Sequence, residues 1–152
     1  MQQTPIKFGI IAGMVSAAIL YILYTMDVQL FLNPLLVFAI SVLVPFLAMV
    51  RSVRKVKEAN ADGVDFKTAV RTAFITWILS MLIFQVFMHG IFTFDTSLTD
   101  LLKERIVESQ GPEAANEIGP PTIGASFQRF LFMLLPGFLF AYMVASFLKN
   151  KR

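Results

Sequence analysis

Four long runs without a charged side chain divide the chain, at 8–26, 28–50, 72–94 and 130–148, and each holds between 19 and 23 residues. A helix needs about 20 apolar residues at ~1.5 Å each to cross a hydrocarbon core ~30 Å thick. Each run is therefore long enough to span. Lipid offers no partner to an unpaired backbone group, so helix is the form such runs must take. The first run is longer than the apolar core of a cleavable signal peptide, and its small residues Ser16, Ala17 and Ala18 fall inside it rather than after it. It reads as a retained helix. The pattern predicts an all-α polytopic membrane protein in a single domain, with four transmembrane helices. The spans fall at about 8–26, 31–50, 70–94 and 128–148, joined by a cytoplasmic loop, 51–69, and an extracytoplasmic segment, 95–127.

Composition agrees with the pattern. Hydrophobic residues are 57% of the chain and charged residues 15%, against roughly 45–50% and about 25% in soluble domains. Charge placement then orients the spans. Four spans put both termini and the loop 51–69 on one side, with ten bases (Lys7, Arg51, Arg54, Lys55, Lys57, Lys67, Arg71, Lys149, Lys151 and Arg152) against Glu58, Asp62 and Asp65. The other side carries Lys103, Arg105 and Arg129 against seven acids. The positive-inside rule assigns the termini to the cytoplasm. Arg51, Arg54, Lys55, Lys57, Lys67 and Arg71 are then expected at lipid headgroups, each worth ~1 kcal/mol of attraction to an anionic leaflet. Nucleic acid is not expected as a partner, because the loop holds only Phe66 and Asn60 as stacking or base-reading groups.

Several segments carry a resemblance. The start of the third span, "GVDFKTAVRTAF", with the N-terminal "IKFGIIAGMVSAA", the long acidic segment before the last span and the basic ending "ASFLKNKR", resembles the domain of unknown function 4199 family across nearly the whole chain. That family comprises small four-helix membrane proteins of Bacteroidota. The proline-rich "IGPPTIG" and the lone His89 depart from it. The resemblance implies an inner-membrane protein with no established activity, and it carries no catalytic residue to transfer.

Local signals add detail. Gly9, Gly13 and Ala17 recur at every fourth residue, a small-residue seam for close packing against a helix of the same chain or of a second copy. Asn33-Pro34 predicts a capped helix start that runs on past Val50, and Asp62, Gly63 and Asp65 predict a turn and cap before the third span. Pro45 and Pro136 lie inside spans, where each removes one backbone bond and favours a kink. Beyond the third span, Ser97 is expected to cap an amphipathic extracytoplasmic helix. Leu98, Leu101, Leu102 and Ile106 would form its apolar face and Asp100, Glu104 and Glu108 a carboxylate row suited to docking a basic partner. Solvated surface is the plainer reading of that row. Gly111-Pro112 and Gly119-Pro120-Pro121 then break the helix into a returning loop.

Candidate chemistry is sparse. The chain has no cysteine and one histidine, too few ligands for a metal centre, and His89 lies more than two turns from Ser80 and Thr76, too far for a nucleophile–base pair. No nucleotide or zinc-protease motif occurs. No cofactor and no catalysis are expected. Gln85, His89 and Arg129 remain as a candidate intramembrane polar site, open to a structural reading in which His89 simply reaches the membrane surface. The expected role is a non-catalytic accessory or assembly subunit of a larger membrane complex, bound to the bilayer and to a membrane-protein partner or to further copies of itself. The alternative is an oligomeric carrier or pore for small solutes or ions.

Overall fold

The computed structural model describes residues 3–149, so Lys151 and Arg152 lie outside the described residues. Among the described residues seven helices follow one another: α1 (Gln3–Met26), α2 (Val28–Phe31), α3 (Pro34–Glu58), α4 (Phe66–Phe94), α5 (Ser97–Gln110), α6 (Pro112–Asn116) and α7 (Ile123–Leu148). Four of them, α1, α3, α4 and α7, are long and apolar enough to cross a membrane. At 24, 25, 29 and 26 residues they measure roughly 36–44 Å at ~1.5 Å per residue, longer than the hydrocarbon layer. Helix and uncharged run therefore do not coincide. The extra length of α3 carries Arg51, Arg54, Lys55 and Lys57, so the connection to α4 is short, 59–65.

Polar side chains set the boundaries. Asn33 accepts from the amides of Leu35 and Leu36, at 3.0 and 3.4 Å, with Pro34 in the first turn where its missing N–H costs nothing. Gly63, at φ 77°, makes the turn before α4, and Asp65 accepts from the Thr68 amide at 3.1 Å. Thr122 does the same for α7 through Ala125. The expectation for Ser97 needs correction. It is the first residue of α5, not its cap, and its amide and hydroxyl both donate to Asp95. The nearby carboxylate is the stronger acceptor for the free amides of the first turn.

α4 is the hub, packed against α1, α3 and α7. Trp77 and Met81 on α4 are fully buried with Met49 and Val53 of α3 and Ala141 and Ala145 of α7. Outward-facing side chains are large and apolar, including Leu47, Val86, Leu135 and Phe147, which suits hydrocarbon rather than water. In lipid such burial gives little hydrophobic gain, so close packing and hydrogen bonds hold the helices together.

Both devices are visible between α1 and α4. A Cβ on Gly9 would stand 2.8 Å from the Leu79 Cβ, and one on Gly13 would stand 2.7 Å from the Ile83 Cβ. The seam faces α4 of the same chain; Ala17 is half-buried and Ser16 is fully buried. Next to it, the Ser80 hydroxyl lies 3.1 Å from the Gly9 carbonyl, and the Thr76 hydroxyl lies 3.1 Å from Ser52 Oγ and 3.3 Å from the Pro5 carbonyl. α3 and α7 run on through Pro45 and Pro136 as helices. Next to Pro136, the Trp77 indole donates to the Met133 carbonyl at 2.9 Å and lies against Gly137, where a Cβ would come within 2.1 Å of Nε1.

A polar cavity roofed by the third connection

Toward α5 the bundle leaves a cavity between α4 and α7. Gln85 and His89 stand one turn apart on α4, and Ser126 and Arg129 stand one turn apart on α7. All four line a cavity of about 60 Å³, which Thr99 and Leu102 of α5 and Ile118, Gly119 and Pro121 of the following loop roof over. At ~10–15 Å³ of such volume per water, the space suits a few waters or one small polar group. The Thr122 cap fixes where α7 begins, and so sets Ser126 and Arg129 at this level. His89 Nδ1 lies 3.0 Å from Ser126 Oγ, a hydrogen bond from α4 to α7. Gln85 and His89 are half-buried and Arg129 is exposed, with no ion pair or hydrogen bond of its own among the described residues.

Gln85, His89 and Arg129 thus meet around one space, although 40 residues separate His89 from Arg129 in sequence. Ser126 is not marked by the uncharged run of the last span, which it precedes; the signal is Thr122 after the double proline, a cap that starts the helix about two turns before that run.

The roof is tied to the bundle at several points. Leu98 is fully buried with Leu20, Phe31 and Phe84, the Tyr24 hydroxyl donates to Asp95 Oδ2 at 2.7 Å, and Arg105 Nη1 donates to the Gln29 carbonyl at 3.1 Å. The Ser97 and Tyr24 hydroxyls hold the Asp95 carboxyl below its ordinary value. Leu101, Leu102 and Ile106 are half-buried, while Asp100, Glu104 and Glu108 are exposed and without an ion pair or hydrogen bond among the described residues.

The bases at the other end fare differently. Arg51, Arg54, Lys55, Lys67 and Arg71 are exposed, with Lys55 4.0 Å from Glu58. Arg71 and Thr68 border an open recess of about 330 Å³ beside Pro5, Ile6 and Val56. Lys57, grouped with the headgroup-facing bases by sequence, is half-buried, and its ammonium donates to the Leu148 carbonyl at 3.0 Å. The free carbonyls and negative dipole end of α7 draw it there. Among the described residues no three His, Asp or Glu side chains gather as a metal site would require.

These features define a four-helix polytopic membrane protein with a roofed polar cavity at one end. The chain belongs to the family described as "Protein of unknown function (DUF4199)", whose model matches residues 7–150. No curated protein and no solved structure matches it.

Proposed function

We propose that the chain is a non-catalytic accessory or assembly subunit of a larger complex in the bacterial inner membrane, with both termini cytoplasmic and α5 outside. The reading rests on α5: Asp100, Glu104 and Glu108 point outward from a helix held to the bundle through Leu98, Asp95 and Arg105. A carboxylate row on a fixed support can meet a basic partner with little loss of conformational freedom. Replacing all three by Gln keeps helix propensity and removes the charge. Partner recovery in mild detergent should fall, and recovery with the parent protein should weaken with salt, since exposed charges are screened over ~8 Å at physiological ionic strength. Unchanged recovery of every partner would overturn the docking face.

Orientation is supported by the asymmetry of bases and has its own test. The chain lacks cysteine, so Ala61→Cys, in an exposed turn, and Asn116→Cys, at the exposed end of α6, give clean labelling sites. An impermeant thiol reagent should reach position 116 and not 61 on intact cells or spheroplasts, and the reverse would invert the assignment.

A second reading, an oligomeric carrier, draws on the meeting of Gln85, His89 and Arg129. Against it, the chain's centre is filled by Trp77, Met81 and Met49, and α4 occupies the Gly9 seam, one of the two open readings of which was a joint between copies. A carrier would lose transport with Gln85→Leu and His89→Leu together, and would be indifferent to the triple Gln change.

A further inference from the structure

The polar cavity has an apolar neighbour. Gln85, His89 and Ser126 also line an open groove of about 400 Å³ between α4 and α7, whose other walls are Leu82, Val86, Gly90, Ile123, Phe127 and Phe130. Three residues therefore border both spaces, and through them polar cavity and apolar groove adjoin. From Leu82 to Gly90 the groove follows two turns of α4, about 12 Å along the helix axis at ~1.5 Å per residue. It runs from the level of His89 toward the middle of the bundle.

We infer that this paired site binds a single-chain lipid carboxylate, with its carboxylate in the cavity and its acyl chain in the groove. Charge is the first reason. Arg129 brings a guanidinium with no counter-ion among the described residues, Gln85 and Ser126 bring neutral donors, and no acid lines either space. The first turns of α7, which carry Ser126 and Arg129, also present the positive end of its dipole. Size is the second. About 60 Å³, room for a few waters, accepts a three-atom carboxylate. Direction is the third: an acyl chain entering beside His89 lies along the helices, as lipid chains do in a bilayer. An Arg–carboxylate pair in these partly dry surroundings is a strong charge-assisted contact. The inference is independent of the docking role given to α5.

Spin-labelled lipids in phosphatidylcholine bilayers containing the full chain test it. Nitroxide-labelled octadecanoate should show one motionally restricted site per chain, favoured over labelled phosphatidylcholine by roughly tenfold, the scale of one charged hydrogen bond. Arg129→Gln should reduce that preference to the phosphatidylcholine level. Val86→Trp and Ile123→Trp should fill the groove and weaken binding by about as much, and because these positions are 66% and 79% exposed the bundle itself should fold unchanged. No preference in the parent protein, or a preference surviving both the Arg129 and the groove substitutions, would overturn the site. Equal restriction of labelled phosphatidylglycerol would overturn the assignment to a single-chain carboxylate and point to a general anionic-lipid surface. Displacement by sodium acetate would show an anion pocket in which the groove has no part.

Discussion

The two ends of this bundle are built on opposite rules. From the start of α1 to the middle of the bundle, close contacts are made at Gly9, Gly13 and Gly137, and the buried hydroxyls of Thr76 and Ser80 lie within reach of backbone carbonyls of α1. Toward α5 the residues lengthen to Gln85, His89 and Arg129, the connections are broken by glycine and proline, and a cavity remains. Small residues let backbones approach until side-chain detail decides the fit, whereas the longer polar residues line a space that the bundle leaves unfilled. One end is closely packed and the other holds a cavity.

The sharpest way to break this contrast is to enlarge Gly137. Even Gly137→Ala would drive the Trp77 indole from its place, lose its bond to Met133 and overpack the core, an effect of about 1–3 kcal/mol or more. The chain has one tryptophan, so its emission should report the change directly, together with a lower Tm in detergent. An unmoved spectrum and Tm would mean that Trp77 is not held as described. Gly13→Leu belongs to the same class, with Ile11→Leu, at an exposed position, as a control expected to do nothing.

Smaller effects separate satisfied from unsatisfied hydroxyls. Ser80→Ala should cost roughly 0.6–1 kcal/mol, the usual worth of an interhelical hydrogen bond in membranes. Ser16 is fully buried with no hydrogen-bond partner among the described residues, so Ser16→Ala should be neutral or raise the Tm. If both changes cost the same, the hydrogen bonding assigned along α1 is wrong.

At the roofed end the changes should be local and leave global stability alone. Tyr24→Phe and Asp95→Asn should each speed hydrogen exchange in α5 while α4 keeps its protection, since they loosen the roof and not the core. The pH response follows from the carboxyl held below its ordinary value of 3.8. A depressed carboxyl contributes fully above that value and loses its contribution as pH falls through the lower folded value. Protection of α5, corrected for intrinsic rates, should be level from neutral pH down to about 4 and decline below it, and Asp95→Asn should flatten the decline. A decline beginning near neutrality would implicate a different group.

The face of α1 that packs was readable, because glycines every fourth residue mean close approach wherever they occur. Its partner was not: α4 meets α1 through Thr76 and Ser80, which look like incidental polar residues in an apolar run until Pro5 and Gly9 are set beside them. Asn33, Asp65 and Thr122 cap their helices by side chains acting on their own neighbours, so such boundaries follow from local chemistry, whereas Ser97 lost its expected role because Asp95 stands two residues before it. The bond made by Lys57 is of longer range and leaves no local signal, since the Leu148 carbonyl that takes its ammonium lies 91 positions away.

Four helices long and apolar enough to span and the imbalance of charge between their ends were determined by the sequence alone, since hydropathy and local capping act over a few turns of chain. Which faces look inward was decided only in three dimensions. In water a buried face is the apolar one, but lipid is as apolar as the interior, and hydropathy carries no such signal within a span. His89 therefore reads the same whether it faces lipid or Arg129. Only the packing of α4 against α7, with α5 folded over both, makes Gln85, His89, Ser126 and Arg129 the lining of one cavity.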